Sequence, residues 1–149
     1  MKSQKPPDKN VVEDLVPIAL VELIGPDGTK IKCRDLLDSG ASGTVLDQKK
    51  AQEFRICQKF QHHILATVMG SVVNNKSAVA QFKFPKLSPT LEIKWECDVM
   101  EDISNTPYDM IIGRNVLKEL KIDIHSSNLT VSMGDASIPW KPKNHKNEI

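Results

Sequence analysis

The chain has 149 residues, the length of one domain with an ordinary core. Its 20 Lys and Arg residues balance 19 Asp and Glu residues, and aromatic residues make up 5%, so neither charge nor stacking capacity supports nucleic-acid binding. Cys33, Cys57 and Cys97 form no C-x-x-C pair, which argues against zinc or a disulfide framework and fits a reducing compartment. Without a signal-peptide core or a membrane-spanning run, the sequence predicts a soluble, cytoplasmic protein with no membrane contact, metal or cofactor.

The two ends of the chain differ in composition from its middle. Residues 1–12 and 141–149 are rich in Lys, Pro and Asn, and they are predicted to be disordered linkers around a domain at 13–140. Two interpretations stay open for these segments. They are either frayed termini, or linkers that join the domain to the rest of a longer polyprotein.

The first half of the domain is dominated by strand signals. Pro17–Ile24 is rich in apolar and β-branched residues, Thr29–Leu37 is predicted to be the returning strand, and the turn chemistry of Gly25–Gly28 between them predicts a hairpin. Asp47–Phe54 is predicted to be a short helix with Asp47 as its cap.

The second half continues the pattern. Two β-leaning runs, 64–73 and 77–84, are separated by Asn74–Lys76, which is predicted to be a turn. Leu91–Val99 alternates apolar and charged residues and predicts a half-buried strand. The remaining predictions are a buried strand ending at Gly113, a short helix over 116–120, a hairpin of 122–125 with 129–133, and an edge piece at 137–140. Many short strands and little helix predict an all-β barrel or sandwich.

One segment concentrates the chemistry. Leu36–Ser42 places Asp38 on an Asp-Ser-Gly turn directly after a strand that runs into the core. Such a triplet alone is common in structural turns. A carboxylate delivered from the end of a buried strand is nevertheless costly without a partner or a function.

A second segment lies some seventy residues later. Tyr108–Leu117 contains two apolar residues followed by Gly-Arg-Asn and a short apolar stretch. In this order and at this spacing, the two segments resemble the retropepsin family, the aspartic proteases of retroviruses and long-terminal-repeat retrotransposons. The amino-acid sequence of the second segment is similar to that of Ty3/gypsy-type retrotransposon proteases. The resemblance implies a closed acid-protease barrel with one short C-terminal helix, assembled as a symmetric homodimer.

The expected chemistry needs two carboxyl groups. One carboxylate takes a proton from water while one carboxylic acid polarises the scissile carbonyl, and closely held aspartates share a proton, as is well known for aspartic-protease dyads. The chain has a single Asp-Ser/Thr-Gly triplet. Counting therefore predicts that Asp38 of each subunit meets its symmetry mate at a two-fold axis.

The resemblance also implies roles for individual residues. The catalytic loop comprises Asp38, Ser39 and Gly40, with Ser39 bonding across the dimer. Ala41 leaves room beside the substrate, and a flap at 67–73 closes over it, with Gly70 near its tip or hinge. The implied substrate contacts are Ala41, Thr67, Val68, Met69 and Gly70, and the implied structural support is Leu37, Ile112, Gly113, Arg114 and Asn115.

One position departs from the retroviral pattern. Ser42 stands where a second Asp is often able to pair with the Arg of Gly-Arg-Asn. Arg114 must therefore find another partner, Asp35 or Asp109, or face solvent.

The sequence thus predicts an aspartic endopeptidase that processes a Gag-Pol polyprotein, in the cytoplasm or within virus-like particles. The alternative is a catalytically silent, domesticated or decayed module that dimerises or binds peptides.

Overall fold

The structure, a computed structural model, describes residues 14–67 and 70–143, and of residues 61–75, 102 and 104 only the backbone. Strands dominate it, and two short helices and one 3₁₀ turn (Asp102–Asn105) interrupt them. Within the described ranges no helix is long and apolar enough to cross a membrane. The strands are β1 Leu15–Val16, β2 Ile18–Ile24, β3 Lys30–Leu37, β4 Val45–Asp47, β5 Gln58–Thr67, β6 Gly70–Lys83, β7 Ile93–Met100, β8 Met110–Ile112, β9 Ile122–His125, β10 Thr130–Met133, β11 Ala136–Pro139 and β12 Lys141–Pro142, and the helices are α1 Gln48–Glu53 and α2 Arg114–Leu120.

The central sheet closes into a six-stranded barrel. Its strands follow the order β2-β3-β8-β4-β7-β6, and a further pairing of β6 with β2 joins the two ends. Closure removes the exposed edges that an open sheet would leave. β5 pairs with β6 outside this ring and extends it as a long hairpin. The predicted closed barrel is confirmed.

Alternating side chains fill the barrel. Strand β2 alternates buried and half-buried residues along most of its length, as a strand with one face on the core should. Phe82 and Phe84 meet edge to face with ring centroids 5.7 Å apart. The same core continues into α2 and into the sheet of β9, β10 and β11 through Val116, Ile122, Val131 and Ile138.

Several predicted elements are confirmed. The first hairpin forms over β2 and β3, and the last over β9 and β10. Helix α1 begins after Asp47, although the Asp47 side chain makes no capping hydrogen bond. The alternation predicted for Leu91–Val99 holds in the first part of β7 and then gives way to consecutive buried residues at 97–99.

The turn predicted at Asn74–Lys76 is wrong. The backbone of β6 runs through these residues without interruption, pairing Asn74 with His63 and Lys76 with Phe60. Local turn chemistry favoured a break, but cross-strand pairing over the length of β6 overrides that preference.

Candidate active site

The acidic loop leaves the barrel at the end of β3. Leu37 is buried, and the next residue, Asp38, donates its backbone N–H to Ile112 O at 2.9 Å. Asp38 Oδ1 accepts a hydrogen bond from Gly40 N at 2.8 Å, and its carbonyl oxygen accepts one from Ala41 N at 3.1 Å. These bonds form an Asx turn that fixes the direction of a half-exposed carboxyl group.

Gly113 packs against the backbone of this loop. A Cβ atom on Gly113 would lie 2.1 Å from Gly43 O and 2.9 Å from Ala41 O. Both contacts are with backbone atoms, which cannot rotate away as a side chain could. The two segments singled out in the sequence therefore touch at a point where only glycine fits.

Thr44 joins the two segments and was missed by the sequence reasoning. Its buried hydroxyl accepts a hydrogen bond from Gly113 N at 3.0 Å and donates one to Asn115 Oδ1 at 2.9 Å. Asn115 Oδ1 also accepts from Val116 N at 2.8 Å, in the first turn of α2. A polar residue inside the apolar stretch Gly43–Leu46 was the available signal, because a buried hydroxyl needs a partner.

Arg114 ties the start of α2 to the acidic loop. Its backbone N–H donates to Ala41 O at 2.8 Å, and its exposed guanidinium donates from Nη1 to Ser39 O at 3.2 Å. The loop carbonyl therefore takes the place of the carboxylate that is missing at Ser42.

The two acids considered as partners for Arg114 are used otherwise. Asp109 Oδ2 accepts from Arg34 N at 2.9 Å, and its Oδ1 lies 3.8 Å from Lys50 Nζ. Asp35 is fully buried inside the barrel. Asp109 thus fastens β3 to the segment before β8.

The hairpin of β5 and β6 carries the predicted flap. Thr67 pairs with Gly70, so these two residues are the last cross-strand pair before the connection. Val68 and Met69 lie outside the described residues, and of Thr67 and Gly70 only the backbone is described. The proposed substrate contacts of all four stay a prediction.

A cleft of about 790 Å³ opens beside the acidic loop rather than over Asp38. Ser39, Ser42, Arg114 and Asn115 line one side of it. Residues of α2 and of the chain after it complete the wall, including Lys118, Lys121, Ile122, Asp123, Ile124 and Ser126. The cleft therefore connects the loop to β9.

The chemical group that the acidic loop presents is a carboxyl group. No group of three His, Cys, Asp or Glu residues in the described part of the chain is arranged to hold a metal ion. The arrangement presents one oriented carboxyl group on a braced loop, which by itself cannot share a proton with a second carboxyl group.

Two solved structures have a similar fold. The retroviral protease-like domain of Ddi1 from Leishmania major aligns with a TM-score of 0.55 at 18% identity, over 87% of this chain and 98% of that one. EIAV protease in complex with an inhibitor aligns with a TM-score of 0.51 at 20% identity, over 80% of this chain and 95% of that one. The fold is retropepsin-like. No family model and no curated protein sequence matches the chain.

Proposed function

We propose that this retropepsin-like chain is an aspartic endopeptidase that is active as a homodimer, with one Asp38 from each subunit. The observation that carries the proposal is the braced loop itself. Asp38 is half-exposed on an Asx turn, and Gly113 and Thr44 lock that turn to the start of α2. A loop held so rigidly suits the preorganisation that catalysis requires.

The cleft and the edge of β9 support a position for the proposed second subunit. In the described pairings β9 bonds only to β10, so its other edge is open to a further strand. Arg114, Lys118 and Lys121 face the cleft together with Asp123, so both signs of charge are present. A two-fold interface needs such self-complementarity, because each patch must contact its own copy.

The substrate would be an extended peptide held between the loop and the β5–β6 hairpin. The proposed natural substrate is a Gag-Pol polyprotein of a retrotransposon. Backbone pairing with an extended peptide would supply affinity, and pockets for alternate side chains would supply specificity.

The second candidate is a catalytically silent module. It is favoured by the Leishmania neighbour, which is a protease-like domain of Ddi1. The retropepsin-like fold alone therefore does not imply a Gag-Pol role.

Cleavage of a peptide library by the concentrated protein, with and without pepstatin, tests the proposal. We expect pepstatin-sensitive cleavage that Asp38→Asn reduces at least a thousandfold, since a neutral amide cannot act as the base. Asp27 is a matched control within the chain. Its Oδ1 accepts a hydrogen bond from Thr29 N at 3.0 Å, so its turn is of the same kind as the turn of Asp38. Asp27→Asn should cleave normally. An Asp38→Asn protein that still cleaves would refute the proposal, and a folded dimer without activity would favour the silent module.

A further inference from the structure

Asp35 is a buried acid that the proposed chemistry does not use. It lies inside β3, where its neighbours across the sheet are Ala19 on β2 and Met110 on β8. Its exposed fraction is 0%, and neither carboxyl oxygen has a hydrogen-bond partner among the described residues. An ionised carboxylate is far more costly in such surroundings than in water.

The charged groups around Asp35 do not offset the cost of a negative charge on its carboxyl group. Asp109, in the segment before β8, adds a second negative charge, and burial and this charge both raise the pKa of Asp35 well above its ordinary value. The nearest cation in sequence, Arg34, directs its guanidinium to the carbonyls of Pro142 and Lys143. Lys50 on α1 lies beside Asp109.

The other titratable neighbours are thiols and further acids. Cys33 on β3 and Cys97 on β7 are buried free thiols, and burial is the main cause that raises the pKa of each. An ionised Asp35 would raise both further, which places the two thiols within its electrostatic reach. Glu53, Glu96 and Asp98 bring only negative charge to this region.

We propose that Asp35 is held as an uncharged carboxylic acid inside the barrel. Because Asp35 loses its proton when the chain unfolds, the fold becomes less stable as the pH rises. The proposal does not depend on protease activity. It implies that the contribution of this one group to stability is greatest at acidic pH.

The sign follows from proton linkage. Unfolding exposes Asp35 to water, where it loses its proton near the ordinary pKa of an aspartate. Above that pH the folded state keeps one proton more than the unfolded state. The unfolding equilibrium constant therefore rises by about tenfold per pH unit from this group, until Asp35 ionises in the folded state as well.

Urea unfolding of the wild type and of Asp35→Asn between pH 5 and pH 8 tests this. Asparagine has nearly the same shape and carries no titrating proton. We expect the ratio of the two unfolding constants, wild type over variant, to grow from pH 5 upward by about tenfold per pH unit, until Asp35 ionises in the folded state as well. Asp135→Asn makes the same change at an exposed turn and should run parallel to the wild type. Parallel curves for wild type and Asp35→Asn would overturn the proposal.

A second measurement needs no variant. Carbon-13 NMR of the wild-type side chains, assigned through backbone connectivities, should show an Asp35 carboxyl resonance that does not shift between pH 3 and pH 5. A resonance that titrates there would overturn the proposal even if Asp35→Asn fails to fold.

Discussion

Gly113 is the residue on which the geometry of the acidic loop depends most directly. Its missing Cβ lets the backbone of Gly43 approach, and its N–H reaches the Thr44 hydroxyl. The loop carrying Asp38 is thus held by contacts of a residue about seventy positions away. The resemblance of Tyr108–Leu117 to the retropepsin pattern made it recognisable without the structure.

Gly113→Ala should therefore destabilise the fold and abolish activity. The new Cβ would meet backbone atoms, so we expect a loss of about 3 kcal/mol or more in the free energy of unfolding, at the upper end for overpacking. Urea unfolding and a peptide-cleavage assay measure both effects.

Gly134→Ala is the matched control for that change. Gly134 has φ +59°, and a Cβ there would meet open space. The expected cost is only the left-handed backbone strain of about 1 kcal/mol, with activity retained. Equal effects of the two substitutions would contradict the steric role assigned to Gly113.

The polar residues of the barrel were harder to foresee. Arg34 and Asp35 follow Lys30 and Lys32 on β3, and Thr44 stands in an apolar stretch, yet all three are buried in the structure. Arg34 and Thr44 find partners in distant parts of the chain, and the Asp35 oxygens have none among the described residues. Periodicity identifies the buried face of a strand, but it does not identify what meets that face.

The terminal ribbon of β1 and β12 is held to the barrel by a side chain of β3. Arg34, only 1% exposed, donates from Nη2 to the carbonyl oxygens of Pro142 and Lys143. Lys143 N in turn donates to Asp14 O at 2.9 Å. A guanidinium on β3, the strand that precedes the acidic loop, therefore holds both ends of the described chain.

Arg34→Met should loosen this ribbon while filling the same space. It leaves the two carbonyl groups without their charged donor, and we expect a loss of about 2–4 kcal/mol in the free energy of unfolding. Hydrogen exchange at the Lys143 amide should accelerate. Arg55→Met, at an exposed position, should change stability by less than about 0.5 kcal/mol. Unchanged exchange at Lys143 in Arg34→Met would contradict the role of Arg34.

The β5–β6 hairpin shows where the prediction of secondary structure from local sequence fails. The sequence placed a turn at Asn74–Lys76, where the structure has the middle of β6. The competing pairings with β5, β7 and β2 come from three separate parts of the chain. The first and last hairpins were predictable because their strands and turns are adjacent in sequence.

At the scale of the whole molecule, the barrel is complete but the proposed site is not. β6 closes the barrel onto β2 within one chain. The single Asp-Ser-Gly triplet gives each chain one acid of the proposed pair. The open edge of β9 and the cleft beside Ser39 are where we propose that the second copy binds.

Subunit mixing tests this central claim most directly. When wild-type protein is refolded together with a fourfold excess of Asp38→Asn, most wild-type subunits should pair with a variant subunit, which gives mixed dimers with a single acid each. We predict that cleavage per wild-type subunit falls to about one fifth, because only that fraction of wild-type subunits meets another. The same excess of Asp27→Asn should cause no such loss. Cleavage per wild-type subunit that is unaffected by Asp38→Asn would mean that one chain holds a complete site, and would contradict the account.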